Sequence, residues 1–126
     1  MANDVFELGR DTRGEVIGRE RSETALASAT DFDYPFQEMA VRYCWGEVWN
    51  RPGLDRKTRS IINLAMLSAM GRASELASHV RGALTNGVSE EEMREVFMQV
   101  CIYAGVPAAG EAFKIAKDAI TEAKKV

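Results

Sequence analysis

The run "RKTRSIINLAMLSAM", residues 56–70, constrains the fold more than any other stretch of this chain. At about 100° per residue, Ile61, Ile62, Leu64, Met66, Leu67 and Met70 spread round the whole circumference of a helix after its first turn. A helix that is apolar all round has to be covered on all sides. A chain of 126 residues has difficulty surrounding one helix completely. Part of this surface is therefore expected to meet another subunit, as in obligate oligomers whose interfaces resemble a divided core.

The remaining pattern is helical as well, with almost no strand-like alternation, no repeat and no low-complexity linker. A first helix is expected over about Asp4 to Ile17, weakened by Gly9 and Gly14, and "GRERSETALASATDFDYP" reads as a connecting segment leading to Pro35. A second helix runs to about Trp49 and stops at "NRPG". Asp55 is placed to cap a third helix through Met70, and Ser74 a fourth ending at Asn86-Gly87. Ser89 and Glu92 form a capping box before a fifth helix, whose Met93, Val96, Phe97, Val100, Cys101 and Ala104 make one buried stripe. Gly105 ends it, and Pro107 opens a last helix through about Ala123. The expected fold is an all-α bundle of five to six helices in a single domain over residues 1–126, with 1–33 as an N-terminal helix and connecting segment.

Composition narrows the function. Apolar residues at 46% and charged residues at 28% are globular proportions. A net charge of −3 with dispersed arginines gives no attraction to a phosphate backbone, so nucleic acid is not an expected partner. The charged N-terminus has no apolar core of a signal peptide, and "IINLAMLSAM" is far short of the ~20 residues that span a bilayer. A cytoplasmic protein without membrane contact is expected. Cys44 and Cys101 form no C-x-x-C, and each is expected to be a small buried hydrophobe.

Three places can carry chemistry. Phe36, Ala40, Tyr43 and Glu47 fall within about 40° of one another on an ideal second helix, putting a carboxylate in an apolar-aromatic stripe. Such a carboxylate should be paired, protonated or lining a wet cavity, unless the nearby helix end lets it reach solvent. Glu38 and Arg42 are an i, i+4 ion pair on the polar strip. Trp45 and Trp49, with Val41 and Val48, form a second apolar face suited to core or subunit packing. On the fourth helix His79, the only histidine, stands at the edge of the Leu76, Val80, Ala83 and Leu84 face, with Glu75 one turn before it. By periodicity alone His79 reads as a structural boundary residue. It is also the one side chain expected to titrate near neutrality, and so the first candidate for proton transfer.

The blocks "FQEMAVRYCWGEVWNRPGLDRKTRSIINLAM" and "HVRGALTNGVSEEEMREVFMQVCIYAGVPAAGEAF" closely resemble the carboxymuconolactone decarboxylase family, and within it the 4-carboxymuconolactone decarboxylases. "H-x-R-x-A-x-x-N-G" and "Y-x-G-x-P-A-A" are shared with the wider superfamily, which includes the alkylhydroperoxidase D-type proteins. The resemblance implies an all-helical AhpD-like fold, a homo-oligomer that is commonly a hexamer, and pockets near subunit contacts. In the peroxidase branch a C-x-x-C precedes the histidine and a glutamate relays protons; here those positions hold Arg72, Glu75 and Ser60, which removes disulfide-based peroxide reduction.

The implied reaction is loss of CO2 from 4-carboxymuconolactone to give the β-ketoadipate enol-lactone, in the breakdown of protocatechuate. The electrons left behind delocalise onto the lactone carbonyl, so no cofactor and no metal are called for. By the same resemblance His79 is the proton donor or oxyanion stabiliser, with Glu47 as its partner or a second acid. Arg42 or Arg81 would clamp a carboxylate. Arg81 lies about 200° from His79 on an ideal helix, and Tyr43 and Ser60 are weaker candidates for hydrogen bonds to substrate. One segment departs from the family. Its decarboxylases often carry "GDAHVD" where this chain reads "GRERSE", Gly18 to Glu23. A lyase, cyclase or isomerase acting on a related lactone or carboxylate is therefore the second reading, and a non-catalytic oligomer binding a small anion or a partner protein the third.

Overall fold

The sixteen residues Ala2–Ile17 form the first helix, α1, and the departures from expectation begin where it ends, at Gly18. Gly18 sits at φ 105, where an L side chain is disfavoured, and this single residue separates α1 from a second helix, α2, Arg19–Ala27. The segment read as a connection is thus helical. In the computed structural model, which describes residues 2–125, seven α-helices and no strand occur among the described residues, two or one more than the expected five to six. The chain divides into two compact units, Met1–Asp55 and Arg56–Val126, each with its own core.

In the first unit, α2 has no apolar stripe and is held to α1 by polar contacts. Arg10 binds the Glu23 carboxylate through Nε at 2.8 Å to Oε2 and through Nη2 to Oε1. Arg13, only 5% exposed, donates from Nε to Ser22 Oγ at 2.7 Å, from Nη2 to Ser22 O at 3.1 Å, and from Nη1 to Gln37 Oε1 at 3.0 Å. Burial pushes the Arg13 guanidinium below its ordinary pKa, opposed by the Glu23 charge, and these three oxygens replace the water it has lost.

The expected second helix is one continuous rod in three forms. A short α3, Tyr34–Met39, passes into a π-helical segment, Ala40–Glu47, and then a 3₁₀ turn, Val48–Asn50. Long π segments are uncommon and cluster at functional sites. This one crosses α1 at two glycines: a Cβ on Gly9 would lie 1.9 Å from the Val41 carbonyl oxygen, and one on Gly46 2.6 Å from that of Val5. Gly9, which sequence reading treats as a weakness in α1, is what lets the two backbones touch. Below the crossing Trp45 and Trp49 stack with centroids 5.0 Å apart and planes 14° from parallel, buried against Val16 and Ile17. Asn50 Nδ2 closes the end of the rod by donating to Trp45 O, Gly46 O and Thr12 Oγ1 at 2.9–3.1 Å.

The second unit is four helices: α4 Arg56–Met70, α5 Ala73–Thr85, α6 Glu90–Ala104 and α7 Val106–Lys124. Their boundaries follow the sequence reading closely. The capping box is formed, with Glu92 N–H donating to Ser89 Oγ at 3.0 Å and Ser89 N–H to Glu92 Oε1 at 2.9 Å. Ser74 does not cap α5; Arg72 occupies the cap position and its side chain makes no cap hydrogen bond. The core joins Leu64, Leu76, Val80, Ala83, Met93 and Phe97 to the alanines of α7, and Phe97 meets Phe113 edge to face at 5.5 Å.

The all-round apolar helix α4 is covered on one side only within the chain. Leu64 is fully buried and Ile61 and Leu67 are half-buried, while Ile62, Met66 and Met70 are exposed. The cysteines also differ from expectation: Cys44 is exposed on the π segment and Cys101 is half-buried. Ala104, placed by periodicity on the buried stripe of α6, is exposed at the helix end. No described helix is long and apolar enough to cross a membrane.

Candidate active site

On α4 the polar residues Ser60 and Asn63 are three positions apart and share a face. On α5 His79 and Asn86, seven apart, also share one. Packing of α4 on α5 brings these two pairs together in a polar strip beside the apolar core. Asn86 Nδ2 donates to the Oγ of fully buried Ser60 at 2.9 Å. The side-chain amide of Asn63 lies 3.5 Å from His79 Nδ1.

His79 is half-buried, and burial pushes its pKa below the ordinary imidazole value, with the Glu75 carboxylate one turn earlier pulling the other way. The imidazole is accordingly neutral at neutral pH. Asn63 faces Nδ1, and a neutral imidazole keeps one ring N–H as a hydrogen-bond donor. Such a group can stabilise an oxygen on which negative charge develops, without first having to carry charge itself.

Sequence reasoning reached His79 and Ser60 but missed Asn63 and Asn86. Asn63 is visible as the polar interruption in "IINLAM"; Asn86 reads as a helix C-terminus, which it also is. Arg81 projects to the other side of α5, as its helical angle requires, and lines a cavity of about 360 Å³ against α7 with Asp118 and Glu122. It does not join His79 within the second unit.

The other expected site residues lie on the π segment of the first unit. Arg42 donates to Glu38 Oε2 from Nη2 at 3.2 Å and stands 5.5 Å over the Phe6 ring, so the expected ion pair is formed with a cation–π contact added. Glu47 is exposed, as are Tyr43 and Phe36, while Ala40 is half-buried. Glu47 therefore reaches solvent rather than being enclosed, the second of its two readings. The angular count also assumes i→i+4 bonding, whereas the π segment closes its turns at i→i+5. Val48, on the 3₁₀ turn, is exposed, whereas Val41, Trp45 and Trp49 are buried as expected. Among the described residues no three His, Cys, Asp or Glu side chains converge in a way that could hold a metal ion.

Residues 34–118 match the model of the carboxymuconolactone decarboxylase family, and the chain belongs to that family. It is 40% identical over 113 residues to a 4-carboxymuconolactone decarboxylase of Acinetobacter baylyi, covering 90% of this chain and 84% of that one. It is also 41% identical over 118 residues to the nitrosuccinic acid decarboxylase npaB of Metarhizium robertsii, covering 94% of this chain and 82% of that one.

Proposed function

We propose that this decarboxylase removes CO2 from 4-carboxymuconolactone, giving the β-ketoadipate enol-lactone in aromatic catabolism. The observation that carries the reading is His79, a half-buried imidazole beside Asn63 on the polar strip between α4 and α5, in a chain of this family. In the reaction the bond to the departing carboxylate breaks, and its electron pair moves through the ring to the lactone carbonyl oxygen. A proton then adds at carbon. His79 donates to the dienolate oxygen, and Ser60 and Asn86 fix the face that α4 presents to α5. Glu47 as a second acid and Arg42 and Tyr43 as substrate ligands are proposed on the π segment of the first unit, and Arg81, on the other side of α5 from His79, would serve a pocket only across a subunit boundary. The exposed Ile62, Met66 and Met70 support a homo-oligomer, and a hexamer is the assembly proposed.

The second relative supports a second reading. Loss of CO2 next to a nitro-bearing carbon also leaves an electron pair on an electronegative acceptor, so the same neutral donor would serve a small nitro-dicarboxylate. The two substrates are distinguished by direct assay, with the lactone followed by ultraviolet absorbance and nitrosuccinate by CO2 release. The lactone is expected to give the higher kcat/KM, and His79→Gln to lose turnover on it while circular dichroism is unchanged. Turnover of nitrosuccinate alone would establish the second reading, and full lactone turnover by a folded His79→Gln protein would remove the histidine from the chemistry.

A further inference from the structure

The groove between α6 and α7 is a separate concavity of about 670 Å³, within the range of small-molecule sites. Its floor is apolar: Phe97 is buried, and Phe113 and Ile120 are half-buried and open into it. Its rim is cationic. Arg94 on α6 and Lys114 and Lys117 on α7 line it and form no salt bridge among the described residues. The one carboxylate in the lining, Glu90, is already bound by Lys124 at 3.0 Å.

In a chain of net charge −3, three unneutralised cations around an aromatic floor are a local excess of positive charge. Cations held at the edge of an apolar surface attract an anion more strongly than the same cations in bulk water, because the low-dielectric floor screens them less. The polar strip of His79 lies between α4 and α5, so this groove is built from other side chains.

We propose that the α6/α7 groove is a binding site for a small aromatic monocarboxylate, with the ring on Phe113 and Ile120 and the carboxylate between Arg94 and Lys117. The ring supplies affinity by covering the apolar floor, and the head group selects for charge. A neutral molecule of the same shape lacks the second contribution, and a small polar dianion lacks the first.

The probe pair is 2-naphthoate and 2-naphthalenemethanol, titrated by calorimetry into the full chain at low salt. The naphthoate is expected to bind several-fold more tightly than the alcohol. Arg94→Gln combined with Lys117→Gln is expected to weaken naphthoate by about 2–10-fold, the range of two partly exposed ion pairs, and to leave the alcohol unchanged. Raising salt should weaken naphthoate in the same direction. Equal affinity for the two probes, or naphthoate binding unaffected by the double variant, overturns the proposal. Both substituted residues are exposed on helix surfaces, and circular dichroism reports whether the fold is retained.

Discussion

Replacing Gly9 with alanine tests whether the crossing of α1 and the π segment is as tight as the structure shows. On propensity alone the change should stabilise a helix by ~1 kcal/mol. The new Cβ would stand 1.9 Å from Val41 O, so the backbones must part by at least about 1.1 Å to reach the 3.0 Å below which real Cβ contacts essentially do not occur. The obstacle is a backbone carbonyl, which cannot rotate away as a side chain can. Overpacking costs ~1–3 kcal/mol and belongs here at its upper end, leaving a net loss of about 1–2 kcal/mol once propensity is subtracted. For a chain of this size that is a fall of roughly 4–8 °C in Tm. Gly14→Ala on the same helix is the internal control, because the three atoms nearest its Cβ, at 3.1–3.3 Å, all belong to the guanidinium end of the exposed Arg19 side chain, which can move outward. Gly14→Ala is expected to raise Tm by about 2–4 °C. Thermal unfolding followed by circular dichroism at fixed protein concentration reads both variants. A Gly9→Ala protein as stable as its parent, or shifted like Gly14→Ala, would refute the reasoning.

Four further outcomes are expected. Lactone turnover should fall as pH drops below the ordinary imidazole pKa, since burial lowers that of His79 and its neutral form is the donor; a steady-state pH profile with an acid limb that His79→Gln removes checks this, and turnover that rises as His79 becomes protonated contradicts it. The same shift means that between the folded and unfolded pKa values the unfolded chain binds more protons, so stability rises with pH through that window and is lost as pH falls; urea midpoints from pH 5 to 7 show the sign, and His79→Gln flattens the slope. Arg13→Ala leaves Ser22 and Gln37 without their donor and is expected to cost about 2–3 kcal/mol, read as a lower urea midpoint. Ser89→Ala removes one half of the capping box of α6 and is expected to cost ~1 kcal/mol, with no effect on kcat.

The parts of the fold that sequence reading reached are those in which one periodic rule operates undisturbed. The fifth expected helix, now α6, joins a capping box, formed by the expected pair, to an apolar stripe that is buried at Met93, Phe97 and Val100 and gives out at Ala104. Helix α2 escaped because periodicity registers only apolar faces, and α2 is fastened by Arg10, Arg13, Ser22 and Glu23 instead. Glu47 reaches solvent, the second of its two readings, and its angle cannot be counted on an α-helix because residues 40–47 are π-helical. The position of His79 at the margin of the core followed from its neighbours on α5, but its contact with Asn63 depends on the rotation of α4, which a helix apolar on every side leaves undetermined. The polar residues in such a helix carry the missing information, and Ser60 and Asn63 are where it lay.

The π segment has a consequence for how relatives of this chain should be aligned. Each i→i+5 closure uses one residue more than the α turn it replaces, so Ala40–Glu47 acts as an insertion accommodated inside a helix rather than in a loop. A relative with an unbroken α-helix here would be one residue shorter, and an alignment would have to open a gap in the middle of a helix to keep both flanks in phase. Such a sequence would also be released from the small residue at the position of Gly9, because the Val41 carbonyl now pressed against it would point elsewhere. The gap and the loss of that glycine should therefore be inherited together.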